Sequence, residues 1–156
     1  MRKENKWVLM TVVGLFVLGC GQWLYSHCQI PCGIFDDQMR IKMIAEDITT
    51  IEKSINEIVS LGKESPVNYN QLVRWIMNKE YHAEKLSETV TYYFMAQRLA
   101  VAPKTGRQEY EAKLEILHQM LVTAMKAKQS TDLANVNTLR ELLKKFNEIY
   151  FAPEQK

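Results

Sequence analysis

The chain has 156 residues, 47% of them hydrophobic and 24% charged, with six Gly and four Pro. That composition excludes a disordered chain, and the length leaves room for one domain of ordinary size but not two. The formal net charge is +2, and Arg2, Lys3 and Lys6 against Glu4 account for all of it. The remainder is neutral overall, with no basic stripe to meet a phosphate backbone, so no nucleic-acid partner is expected.

Residues 2–6 form a short charged region, followed by the apolar stretch Trp7–Gly19. Its length suits a signal peptide better than a lipid-spanning helix, which needs about 20 residues. Counted through Tyr25, the stretch approaches that length, and an uncleaved membrane anchor is the alternative. Residues 1–26 are therefore read as a signal peptide that is removed, or as an anchor. The protein is expected to be exported, periplasmic or extracellular, or tethered to a membrane through this segment. Two cleavage points compete. Leu24-Tyr25-Ser26 before His27 offers a small residue at −1 and a large one at −3. Val17-Leu18-Gly19-Cys20 resembles a bacterial lipoprotein box, in which Cys20 would be lipidated and become the first residue. Otherwise Cys20 is a small side chain in an apolar segment.

Next comes His27-Cys28-Gln29-Ile30-Pro31-Cys32-Gly33-Ile34-Phe35-Asp36, with one histidine and two cysteines in six consecutive residues. The following helices contain no comparable cluster. In an oxidising compartment, Cys28 and Cys32 could also close a disulfide in the absence of a metal.

Asp36 and Asp37 stand where an N-cap belongs, and Ile41, Ile44, Ile48, Ile51, Ile55 and Ile58 then recur at helical spacing. Gly62 and Ser65-Pro66 end this first helix. A second helix is expected from Asn68 or Asn70 to Val101, ended by Pro103. Its stripe is Leu72, Trp75, Ile76, Ala83, Leu86, Val90, Tyr93, Phe94 and Leu99. After the loop Lys104-Thr105-Gly106-Arg107, a third helix carries Tyr110, Leu114, Leu117, Leu121, Ala124 and Met125. Gln129-Ser130-Thr131-Asp132 breaks the pattern, with three competent caps. A fourth helix carries Leu133, Val136, Leu139, Leu142, Leu143, Phe146, Ile149 and Tyr150. No run alternates with period two. The expected fold is all-α, an antiparallel four-helix bundle over residues 37–156 with an N-terminal metal-binding hook at 27–36. Trp75, Tyr92, Tyr93, Phe94 and Phe151 bring more aromatic bulk than a thin core absorbs, so they cap the bundle ends or meet other subunits.

Glu115-Ile116-Leu117-His118 has the spacing of a di-iron bundle ligand pair, but such a centre needs that motif on two helices. The hook is the stronger candidate. If Ser26 is the last residue removed, His27 acquires a free α-amine. That amine, the Cys28 amide nitrogen and the Cys28 thiolate then lie in series and can form fused chelate rings. Pro31 and Gly33 bend the chain so that the Cys32 thiolate completes an N₂S₂ plane, with the His27 imidazole free to approach axially. Such a plane favours Ni(II) or Cu(II), whereas zinc prefers a tetrahedron. Strongly electron-releasing donors also stabilise a higher oxidation state. A metal cycling by one electron at a small exposed site can oxidise one superoxide and reduce another.

The ten-residue stretch resembles the His-Cys-x-x-Pro-Cys-Gly-x-Tyr-Asp nickel hook of the nickel-containing superoxide dismutases. The likeness continues through Arg74-Trp75-Ile76-Met77-Asn78-Lys79-Glu80 and Met125-Lys126-Ala127-Lys128-Gln129-Ser130, covering residues 27–151. It implies an antioxidant enzyme that disproportionates superoxide to O₂ and H₂O₂ by Ni(II)/Ni(III) cycling, with one nickel ion per subunit. It also implies an N-terminal extension removed to free the histidine, and a homohexamer of four-helix bundles. The metal ligands carried over are His27, Cys28 and Cys32. Phe35 stands where the family has a tyrosine whose hydroxyl gates the approach to nickel, so weakened proton supply or peroxide handling is expected with the metal retained. A Glu and an Arg that steady the imidazole in some members fall near Lys42 and His82. Two other readings use the same residues: an exported or membrane-tethered bundle without redox activity, and a thiol or copper-handling protein using the Cys28–Cys32 pair. That pair's three-residue gap is wider than the two-residue redox motif.

Overall fold

The structure, a computed structural model, describes residues 33–102 and 104–152, together with Met10, Gln29 and Pro31. The expected ligands His27, Cys28 and Cys32, and nearly all of the apolar leader including Cys20, lie outside the described residues. The fold divides after Gly33, and the part that follows is taken by itself.

That part is a four-helix bundle. Helix α1 spans Asp37–Leu61 and α2 spans Tyr69–Glu88, running on into a π-helical segment, Thr89–Arg98. Helices α3 (Arg107–Gln129) and α4 (Leu133–Tyr150) complete it. Each helix packs on its neighbour in sequence, and α4 closes back on α1. The short connections make successive helices antiparallel.

The isoleucine stripe of α1 behaves as its spacing demands. Ile41, Ile44, Ile48, Ile51 and Ile55 are buried, with Asp36 as N-cap accepting from the Met39 N–H at 2.9 Å. Asn68 caps α2 and Asp132 caps α4 in the same way, each worth about 1 kcal/mol. Helix α3 starts differently, from Gly106 at φ +92°, a left-handed conformation that leaves no side chain to cap the helix.

Three expectations about the stripes shift. The first turns of α2 do not bury their apolar residues: Ile76 is 39% exposed, and Leu72 and Trp75 are half-buried. This part of α2 instead sends Lys79 inward and hydrogen-bonds Asn78 to the buried Ser54. On α3 the buried residues are Leu117, Met120, Thr123, Ala124 and Ala127, while Met125 is exposed and Leu114 and Leu121 are half-buried. Two apolar rows compete on that helix, and the more N-terminal residue of both adjacent pairs, Met120-Leu121 and Ala124-Met125, takes the core. The second helix also stops short, with Leu99 already extended.

The reason lies in the π-helical segment, closed by the Leu99 N–H to Phe94 carbonyl bond of 3.0 Å. Its wider turn lets the adjacent large rings Tyr93 and Phe94 both point inward. Phe94 meets Phe146 and Tyr150 edge-on, with centroids 5.0 and 5.5 Å apart. Such contacts add about 0.5–1.5 kcal/mol each to the burial itself. These rings occupy the end of the bundle where α1 begins and α4 finishes. Tyr92 and Phe151 stay exposed.

Lys79 is a buried ammonium with a clear assignment. It donates to the carbonyl oxygens of Ala127 and Ser130, both at 2.9 Å, and to that of Lys128. These include carbonyls that the end of α3 leaves without helical partners, and a cation is favoured at that end of the helix dipole. Burial lowers the Lys79 pKa, and neighbouring Glu80 opposes that shift in part.

Candidate metal centre

The chain enters the bundle at a tightly built point. Pro31 and Gly33 lie in turns, and Gly33 takes φ +90°, which side-chain-bearing residues rarely adopt. Phe35 follows, then the cap residue Asp36 and Asp37, the first residue of α1.

Asp37 collects four hydrogen bonds. Arg98 Nε donates to Oδ1 at 2.8 Å and Arg98 Nη2 to Oδ2 at 2.7 Å, a two-pronged pair. Tyr93 Oη donates to Oδ1 at 2.7 Å, and Tyr150 Oη to Oδ2 at 2.8 Å. One carboxylate thus ties together the start of α1, the π-helical segment and the end of α4. Burial pushes the Asp37 carboxyl up, but the hydrogen bonds from Arg98, Tyr93 and Tyr150 and the Arg98 charge outweigh it and hold the group below its ordinary value. Burial and donation to that carboxylate push both phenols to about 12.

Phe35 is seated on the same cluster. Its ring meets Tyr93 edge-on at 5.8 Å, and the Arg98 guanidinium lies 4.4 Å above its centroid. Arg40 stacks 4.9 Å over the Tyr93 ring, so each ring of the pair carries a guanidinium.

Lys42 and His82, which fall near the positions that steady an imidazole in some family members, lie on neighbouring helices. Lys42 is exposed on α1. His82 Nδ1 lies 2.7 Å from Asp47 Oδ1, pairing α2 with α1 through a residue that the sequence reading did not single out. Burial raises the Asp47 pKa against the opposing hydrogen bond and charge of His82. Glu115 and His118 are exposed on α3, with Glu115 accepting from Gln119. Among the described residues, no group of three His, Cys, Asp or Glu side chains could hold a metal ion. Three surface grooves among the described residues, one between α2 and α3 and two against α1, have walls that do not include Phe35, Asp37, Tyr93, Arg98 or Tyr150.

A family model, nickel-containing superoxide dismutase, matches residues 22–154. The chain belongs to that family. The match begins just before His27 and runs past the last helix, so hook motif and bundle fall within one family segment. No curated protein and no solved structure matches the chain. Membership in the nickel-containing superoxide dismutase family supports a redox, antioxidant role, and nickel is the metal in the family's name.

For a family member, the donor chemistry of the hook sequence fits nickel: two cysteine sulfurs, an imidazole and, were His27 the first residue, an α-amine. The turns at Pro31 and Gly33 are compatible with a chain that doubles back around a metal. Sequence reasoning placed Tyr93 and Tyr150 only in apolar stripes and Asp37 only as a possible cap. It singled out neither Arg98 nor Asp47 as a site residue. No local signal marks these pairings, because the partners of Asp37 lie 56, 61 and 113 residues away.

Proposed function

We propose that the mature protein is a nickel-dependent superoxide dismutase whose ligands are His27, Cys28 and Cys32. The motif His27-Cys28-Gln29-Ile30-Pro31-Cys32-Gly33 inside the matched family segment carries this reading. In the proposed domain arrangement, residues 1–26 are an export signal, residues 27–36 the hook and residues 37–156 the bundle. The family's homohexamer is the proposed assembly, in an exported location.

The reaction converts two superoxide anions and two protons to O₂ and H₂O₂. Nickel, when bound, supplies the one-electron steps between its +2 and +3 states. The chain supplies the holding groups: the His27 α-amine and imidazole, the Cys28 amide nitrogen and thiolate, and the Cys32 thiolate. Cys32 is only three residues from Phe35, so the backbone keeps their Cα atoms within about 11 Å. Phe35 contributes an apolar ring without a hydroxyl. Tyr93 and Tyr150 do not replace that hydroxyl as acids, because both donate to Asp37 and hold their protons to about pH 12. Nearby amides, ordered water or the His27 imidazole are the proposed sources of protons.

N-terminal sequencing of the native protein, with metal analysis and a superoxide-decay assay, tests this function. The expected result is His27 as first residue, about one nickel per chain and catalysed decay. A mature N-terminus at Cys20, or a metal-free protein with a Cys28–Cys32 disulfide under nickel-replete conditions, would overturn it.

A further inference from the structure

Asp37 has more partners than its place in the helix requires. Asp36 already caps α1, and an acid in the first turn gains only about 0.3–1 kcal/mol from the helix dipole. Partly buried ion pairs are a weak source of net stability, because desolvation offsets most of their attraction. A two-pronged arginine and two tyrosines on one carboxylate are better suited to fixing a geometry.

The π-helical winding points the same way. Tyr93 and Arg98 are five residues apart and would diverge by about 140° around an α-helix. Bonding from residue i to i+5 instead stacks them on one side, and both donate to Asp37 Oδ1. These same side chains flank the Phe35 ring, Tyr93 at its edge and Arg98 over its face. The carboxylate thus sets the spacing of both walls between which the ring lies.

We infer that Asp37 is a positioning residue for the metal hook: it holds Arg98 and Tyr93 as a slot for Phe35, the anchor from which the ligand-bearing residues are tethered. The inference rests on the nickel reading above. Groups that orient a metal's ligands typically change metal affinity by about 10–100-fold when replaced.

The test compares wild-type protein with Asp37→Asn, each carrying fluorinated phenylalanine, with the Phe35 signal assigned by its loss in Phe35→Leu. The amide cannot accept from all four donors and lacks the charge that holds Arg98. The expected result is a Phe35 fluorine line that moves toward the free amino-acid position in metal-free protein, together with nickel release to a chelator about tenfold faster. Helix content by circular dichroism stays the same. A purely structural Asp37 would lower the melting temperature while leaving the fluorine line and the release rate in place, and that result would overturn the inference. Should Asp37→Asn fail to fold, Arg98→Lys carries the same test, because it keeps the charge and loses the two-pronged bond and the stacked plane. A wild-type protein that takes up no nickel overturns the metal reading, and the fluorine line then still decides whether Asp37 orders Phe35.

Discussion

Tyr93 and Arg98, five residues apart in one π-helical segment, donate to the same oxygen of Asp37 at 2.7 and 2.8 Å. An α-helix would send one of them away. The segment where helical winding departs from the ordinary is therefore the segment that grips the start of the bundle.

The acid limb of stability follows from this grip. Asp37 is buried, which raises its pKa, but its hydrogen bonds and the Arg98 charge win and leave it lowered. A carboxyl lowered by folding contributes stability that is present above its unfolded value of about 3.9 and is lost as pH falls through the folded value. Urea unfolding followed downward from neutral pH should show a steeper loss below about pH 4 in wild type than in Asp37→Asn. Equal slopes would mean that the carboxylate is not held by its partners.

At the alkaline end the sign reverses. Tyr93 and Tyr150 are raised to about 12, by burial first and then by donation to a charged carboxylate. Their contribution is complete below the unfolded value of about 10 and is lost as pH rises through the folded value. Phenolate absorbance should therefore reveal tyrosines that ionise only near pH 12. In Asp37→Asn this late phase should move to lower pH, since the charge that opposed ionisation is gone.

Lys79 is a charged residue buried at 4% exposure and tied to three carbonyls. Lys79→Met preserves much of the side-chain volume but leaves the carbonyls of Ala127, Lys128 and Ser130 without their donor. A destabilisation of about 2–4 kcal/mol is expected by denaturant titration, with nickel content per folded chain unchanged. A change within about 0.5 kcal/mol, the range of ordinary surface substitutions, would show that water replaces the ammonium freely.

Phe35→Tyr tests the missing hydroxyl directly. The ring keeps its contacts with Tyr93 and Arg98, and at 37% exposure the added oxygen can reach solvent. Stability should change by less than about 0.5 kcal/mol. Superoxide decay measured by stopped flow should accelerate at equal nickel content if proton supply or peroxide handling limits the wild type.

One residue added before His27 gives the sharpest separation of hook from bundle. It turns the α-amine into an amide and removes one of the proposed ligands, so nickel binding should fall by more than tenfold. Circular dichroism and the melting temperature of the metal-free protein should not move, because the bundle's core begins at Ile41.

Much of the molecule was legible without coordinates because the relevant information is local. The isoleucines of α1 and the apolar row of α4 repeat every three or four residues, and that spacing is the helix itself. The hook motif packs its candidate donors into six residues, so its likeness to a family can be read from covalent order without distant partners. Less was legible on α3, where two apolar rows both satisfy helical spacing. Packing chose Met120 over Leu121 and Ala124 over Met125.

By itself the sequence determined an all-helical bundle, its caps to within a residue or two, and a motif contiguous enough to point to a family. Tertiary structure alone decided which acid caps and which anchors, because Asp36 and Asp37 are identical side chains one residue apart. It also decided the π-helical winding, which trades regular helix for the approach of Tyr93 and Arg98 to one carboxylate. Tyr150 reaches that carboxylate from 113 residues away, a distance over which no local pattern carries information.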